Sequence, residues 1–166
     1  MISYTITPTA AAVTAAEVKT WLRIDHSADD TLITGTIIPA AQAAIEHATG
    51  FSLSDKGEVV AIWDVDSNTG WLELPISPLQ EIVEILVSDE ATTGYTEGGT
   101  PNYPTINITS GQKVQVEYLA GAGTVDPELK LAVLMQAAYY YMNRESSDIA
   151  PAAKNIILKR GRNLAI

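Results

Sequence analysis

The stretch VQVEYLAGAGTVDPELKLAVLMQAAYYYMNRE, residues 114–145, contains the change of period that decides the fold class. Val114, Val116 and Tyr118 alternate with Gln115 and Glu117, the two-residue repeat of a strand buried on one face. Gly121-Ala122-Gly123-Thr124 ends that repeat, and Asp126-Pro127 opens a helix. Asp126 is placed to cap, and Pro127 suits the first helical position, where a missing N–H costs nothing. From 128 to about 144 the helix is apolar on almost every side, with Leu129, Leu131, Val133, Leu134 and Met135 on different faces. Such a helix is either the central core helix or has one flank covered by another subunit.

Toward the N-terminus, Thr14 and Glu17 form a capping box, in which each side chain satisfies an orphan N–H of the first turn. The helix they open carries Val18, Trp21 and Leu22 and ends near Arg23. Ser27 and Asp30 repeat the box pattern ahead of a second helix at about 28–48. Its expected apolar stripe is Leu32, Ile33, Ile37, Ala41, Ala44, Ile45 and Ala48, with Gly50 as its left-handed stop. Pro39 should kink it, because the ring clashes with the preceding turn and one hydrogen bond is lost. Before these helices, Ile2, Tyr4 and Ile6 alternate in an extended arm suited to adding as a strand.

Between 57 and 120 the period is that of strands. Val59, Ala61 and Trp63, then Trp71, Leu72 and Leu74, flank the turn-rich segment 66–70. Residues 82–87 read as another strand. The segment 95–104, with Gly98, Gly99, Pro101 and Pro104, reads as a loop, and Ile106 and Ile108 as a short strand before a turn at Ser110-Gly111. Trp63 and Trp71 are either cross-strand neighbours, or one of them marks a contact surface. The expected fold class is α+β. A mainly helical core, made of a helical hairpin (14–23 and 28–48) and the helix at 127–144, carries an antiparallel β insertion. Residues 1–13 form the arm, 14–145 the main domain, and 146–166 a basic tail with a short helix near 152–158.

Charge is unevenly distributed over the 166 residues, whose net is −10. Residues 1–153 hold all 20 acidic and six basic residues, whereas 154–166 hold Lys154, Lys159, Arg160 and Arg162 and no acid. A body this acidic repels phosphate backbones, which argues against sequence-specific duplex binding. The basic end is either a solvated tail, or it docks onto an acidic neighbouring subunit or touches nucleic acid non-specifically. The absence of Cys excludes disulfides, thiol nucleophiles and Cys-based metal sites. With no signal-peptide pattern and no spanning segment, a soluble cytoplasmic product is expected.

Residues for catalysis are scarce. His26 and His47 are the two histidines. His26 stands beside Asp25, Asp29 and Asp30, acids that suit a helix start better than a Ca²⁺ loop, which needs six to eight oxygens around a glycine. The 121–124 loop lacks the Lys and Ser/Thr of a phosphate cradle, and the acids Asp126 and Glu128 follow it. No catalytic, metal or cofactor residues are assigned, and no enzyme activity is expected. Tyr139, Tyr140 and Tyr141 span roughly 200° of a helix, so they cannot share one core face. Either two of the three pack in the core, or the face they make meets a partner; they are assigned to a subunit interface, and Lys154, Lys159, Arg160 and Arg162 to docking on a neighbouring subunit. Removing 154–166 is expected to weaken assembly and leave the fold intact.

Three segments in order resemble the tailed-phage head-tail connector (head-completion adaptor) family. The first, VTAAEVKTWLRIDHSADDTLITGTIIPAAQAAIEHATG (13–50), carries Leu22-Arg23-Ile24-Asp25, Asp29-Asp30 and Thr49-Gly50. The second, LELPISPLQEIVEILV (72–87), carries Pro75, Pro78 and Gln80, and the third is 114–145, with Asn143-Arg144-Glu145. The resemblance departs before Val13 and after Ser146. It makes 14–145 a connector-like domain and implies a structural virion protein at the head-tail junction, made in the host bacterial cytoplasm. Its implied partners are copies of itself in a ring, a dodecamer by family likeness, the portal protein and downstream connector or tail proteins. DNA would pass through the channel without specific binding, and no membrane is involved. The contrasting possibility is a stand-alone phage-encoded protein-binding or regulatory module.

Overall fold

The computed structural model describes residues 2–8, 10–53, 57–64, 70–108 and 113–160. The turn expected at 66–70, apart from Gly70, and that at Ser110-Gly111 lie outside these residues, as do Arg162 and the side chain of Arg160. In chain order the elements are β1 (Ile2–Pro8), α1 (Ala15–Leu22), α2 (Asp30–Leu32), a π-helical turn (Ile33–Ile37) and α3 (Ile38–Thr49). The β region follows, with β2 (Gly57–Asp64), β3 (Trp71–Glu73), β4 (Leu79–Val87), β5 (Glu90–Ala91), β6 (Tyr95–Thr100), β7 (Tyr103–Ile108) and β8 (Lys113–Ala120). The chain closes with α4 (Pro127–Met142) and α5 (Pro151–Arg160).

The expectation of a mainly helical core is corrected. Helix and strand contents are nearly equal among the described residues, about 37% and 35%, and the strands form two antiparallel sheets. One sheet runs β1-β2-β8-β4-β5 and the other β3-β7-β6. Two apolar cores result. The α-helices bury Val18, Ile33, Ile37, Ala41, Ile45, Val133 and Ala137 together. Between the sheets lie Val59, Ala61, Trp63, Ile85, Ile106, Ile108, Val116 and Tyr118. The β part is therefore a sandwich with its own core, since each sheet has one apolar face that needs covering.

The second sheet hid behind turn-forming residues. The segment 95–104, expected as a loop, is β6, a two-residue turn at Pro101-Asn102, and the start of β7. Gly99 takes φ +77°, and a Cβ there would collide with the Tyr103 carbonyl oxygen, so glycine is required where the hairpin closes. Gly98 lies under the Trp71 indole, which reaches across β7. Trp63 and Trp71 are not cross-strand neighbours. Trp63 on β2 faces the sandwich core, while Trp71 on β3 pairs with Asn107 and is exposed.

The helical half follows its local signals closely. Thr14 N–H donates to Glu17 Oε2 at 2.8 Å and Glu17 N–H to Thr14 Oγ1 at 3.3 Å, completing the box. Arg23 and Gly50 stop their helices in the left-handed region, at φ 57° and 70°. The second box does not form, because the Asp30 carboxylate pairs with Lys19 at 2.7 Å instead. The kink expected at Pro39 is a π-turn. Proline offers no N–H to the Gly35 carbonyl, and Ile38 N–H reaches back five residues to Ile33. The buried face of α3 is also rotated from the expected stripe: Gln42, Glu46 and Thr49 are buried, whereas Ala48 is exposed.

The two halves meet around Ser77. Ser77 N–H donates to the Gly50 carbonyl at 2.9 Å, and Ser52 N–H donates to the Ser77 carbonyl at 2.8 Å. The Ser77 hydroxyl, itself buried, donates to Gly50 O at 3.2 Å. Within the β part, Tyr118 OH accepts from Ile76 N–H at 2.9 Å and donates to Ile76 O at 3.1 Å.

Candidate assembly surfaces

Tyr139, Tyr140 and Tyr141 occupy the last turn of α4, and each is half-buried against the helical core. The three rings diverge, as their positions on a helix require. Those of Tyr139 and Tyr140 lie 6.5 Å apart, and Tyr139 OH accepts from Ser146 Oγ at 3.4 Å. Tyr141 OH donates to the Asp29 carboxylate, and the Arg144 guanidinium stands 5.7 Å from its ring centre. That hydrogen bond to Asp29, aided by burial, pushes the Tyr141 phenol above its ordinary pKa, which keeps it a neutral donor.

Tyr140 also borders an apolar groove of about 400 Å³ with Leu32, Thr36, Ile37, Ala40 and Arg144. The π-turn forms one wall of this groove. Sequence reasoning missed it, although Pro39, four residues after Gly35, was the local sign that a helical hydrogen bond would be lost here.

The basic end is built on α4. Gln136, fully buried, donates to the Asp148 carbonyl at 3.0 Å and accepts from Ala150 N–H at 2.8 Å. This side chain fixes the turn before Pro151, so α5 starts at a set place and packs along α4 through Ala153, Ile156 and Ile157. Lys154 and Lys159 are exposed, as is Leu158 at 82%. The structure thus puts the tyrosines and the basic helix on the same helical half, joined through α4.

The acids around His26 serve the fold. Asp29 accepts from Tyr141, and Asp30 pairs with Lys19. His47 Nδ1 stands 3.0 Å from Tyr4 OH and links α3 to β1. Beside the 121–124 loop lies a cleft of about 480 Å³ lined by Phe51, Ser52, Pro78, Val125, Asp126 and Leu129. Its helix start is occupied by Asp126, which accepts from Glu128 N–H at 2.8 Å, so a phosphate would meet carboxylates there. No group of His, Asp and Glu suited to a metal occurs among the described residues. No described helix is long and apolar enough to cross a membrane.

Three solved particle structures contain chains of similar fold. One is the neck of an empty gene transfer agent particle computed with C6 symmetry, at 20% identity and TM-score 0.70 over 98% of each chain. A chain of the native gene transfer agent virion matches at 20% identity and TM-score 0.70, covering 97% of this chain and 98% of that one. The neck of the native particle computed with C12 symmetry matches at 21% and 0.66, over 100% and 98%. Among curated proteins nothing matches the sequence. Residues 11–164, nearly the whole chain, match the head completion protein family, and the chain belongs to that family.

Proposed function

We propose that this protein is a structural subunit of a ring at the head-tail junction of a phage-like particle. There it joins the capsid portal to the tail, continues the DNA channel and stabilises the filled head. The observation that carries this reading is end-to-end: family membership over residues 11–164 combined with a whole-chain fold likeness to chains in particle necks. Necks computed with C6 and C12 symmetry support copies of one chain arranged around an axis, and a dodecamer is the proposed count. Its neighbours in this reading are further copies, the portal and downstream connector or tail proteins. Synthesis takes place in the host bacterial cytoplasm before incorporation into the virion.

The surfaces proposed for assembly are the Tyr139–Tyr141 face and the basic end with Lys154, Lys159, Arg160 and Arg162. Tyrosine suits the first because it buries a large area with little loss of side-chain freedom. DNA in the channel would meet a chain of net charge −10, which favours passage over adhesion. Electron microscopy of particles that carry the protein, or of the protein mixed with its cognate portal, tests the reading. The expected result is a ring of density between portal and tail that fits this fold. A neck complete without it overturns the proposal.

A further inference from the structure

The outer face of the five-stranded sheet belongs to neither apolar core, and among the described residues no helix packs on it. Two neighbouring rows of side chains on it are rich in glutamate. Val60 lies opposite Glu117, which lies opposite Glu84; in the next row Glu58 lies opposite Leu119, which lies opposite Glu81. Val60 and Leu119 are thus diagonal neighbours with four carboxylates beside them, bordered by Thr5 and Thr7 of β1 and by the row Ile62, Gln115 and Leu86. None of the four has an ion-pair partner among the described residues, whose three salt bridges are Lys19–Asp30, Lys113–Asp89 and Lys130–Glu17. Glu84 directly opposite Glu117 is a like-charge pair, an arrangement that destabilises an isolated sheet.

The exposed side of α5 has the opposite pattern. Leu158 stands out at 82% exposure with Lys154 one turn before it and Lys159 beside it. Neither lysine has an ion-pair partner among the described residues, and α5 packs on α3 and α4, not on the sheet. An apolar knob flanked by cations and an apolar pair flanked by anions are two different surfaces of one chain. That is what a heterologous contact between identical copies needs if rotation is to close a circle.

Building on the ring reading above, we infer that α5 of one copy docks on the outer face of the five-stranded sheet of the next. Leu158 seats between Val60 and Leu119, while Lys154 and Lys159 neutralise Glu84, Glu117 and their neighbours. Apolar burial supplies most of the affinity, and the charges set orientation and relieve the like-charge pair.

The chain has no cysteine, so single cysteines report cleanly. Copies bearing Leu158→Cys are mixed with copies bearing Glu117→Cys, assembled into rings or necks and oxidised. A disulfide-linked dimer is expected in the mixture and in neither population alone. In a second arm, Lys154→Glu/Lys159→Glu and Glu84→Lys/Glu117→Lys are each expected to lower incorporation roughly tenfold, with recovery when both are combined in one chain. Circular dichroism melts check folding, and should the sheet variant not fold, the crosslink and the helix variant decide. If wild-type protein enters the ring but no mixed dimer forms, or if the Leu158→Cys thiol links to another neck protein instead, this contact is overturned and the ring reading stands. If wild-type protein enters no ring or neck, both fall.

Discussion

Glu46 sits fully buried, with its two carboxylate oxygens unequally served. Oε1 accepts from Leu53 N–H at 2.8 Å and from Gln42 Nε2 at 3.1 Å, while Oε2 has none among the described residues. Burial pushes its carboxyl above the ordinary range, and the two hydrogen bonds offset only part of that. A group raised in the folded state contributes stability that is full below its unfolded pKa and lost as pH rises through its folded value. Glu46 therefore weakens the fold at neutral pH relative to mild acid. Glu46→Gln keeps the acceptor and removes the ionisation. It should raise the unfolding midpoint near neutral pH and change little well below the carboxylate range, as urea melts at several pH values would show. Equal destabilisation at every pH would sink this account. Tyr118→Phe tests a different buried atom, since it orphans the Ile76 N–H. A loss of about 1–3 kcal/mol is expected from chemical denaturation. Gln42, Glu46 and Thr49 could not be read as buried from the sequence; for the first two, the groups they serve lie outside the helix. Gln42 takes the N–H of Ala12, and Glu46 that of Leu53, both on flanking segments.

Between elements, one carboxylate does two jobs. Glu17 Oε1 meets Lys130 Nζ at 2.6 Å, clasping α1 to α4, while Oε2 accepts from Thr14 N–H and caps α1. The Lys130 hydrogen bond first, then the Thr14 N–H, hold its carboxyl down at about 2. A lowered pKa gives stability that is present above the unfolded value and lost as pH falls through the folded one. The clasp should loosen between the ordinary carboxylate value of 4.5 and about 2. Lys130→Met should cost ~0.2–1 kcal/mol at neutral pH and flatten that acid limb in pH-dependent melts. The π-turn offers a further test, because a Cβ at Gly35 would meet no atom within 4 Å. Gly35→Ala should stabilise by ~0.5–1 kcal/mol, and lost stability would show that the turn depends on glycine's freedom. Helix ends were legible because capping is local: Thr14 with Glu17, Asp126 with Pro127, and Gly50 all act within one turn. The β3-β7-β6 sheet was not, because Gly98, Gly99, Pro101 and Pro104 are turn formers locally. Gly98 is accounted for chiefly by the Trp71 ring above it, a contact 27 residues away in sequence.

For the whole molecule, the assembly test suggested by the sequence needs revision. Deleting 154–166 would strip Ile156 and Ile157 from the helical core along with the basic charge, so reversal of Lys154 and Lys159 is the cleaner perturbation. That variant should melt like the wild type while entering the neck less well. The order of segments pointed to the family, since helix starts, the Pro-rich entry to β4 and the strand-to-helix change at 114–145 survive as local patterns. The balance between two cores did not show, because no window of sequence reports which sheet a strand joins. The seam around Ser77 has a consequence for how this protein bears load. Ser77 bonds back to Gly50 through both its N–H and its hydroxyl, Ser52 N–H bonds to the Ser77 carbonyl, and both serines are buried. Helices and sandwich are thereby welded at this seam, and a force applied to one half would be passed to the other through it. The amide protons of Ser52 and Ser77 should then exchange with deuterium only through complete unfolding, as slowly as those of β8. Faster exchange at these two amides would reveal a hinge where a weld is expected.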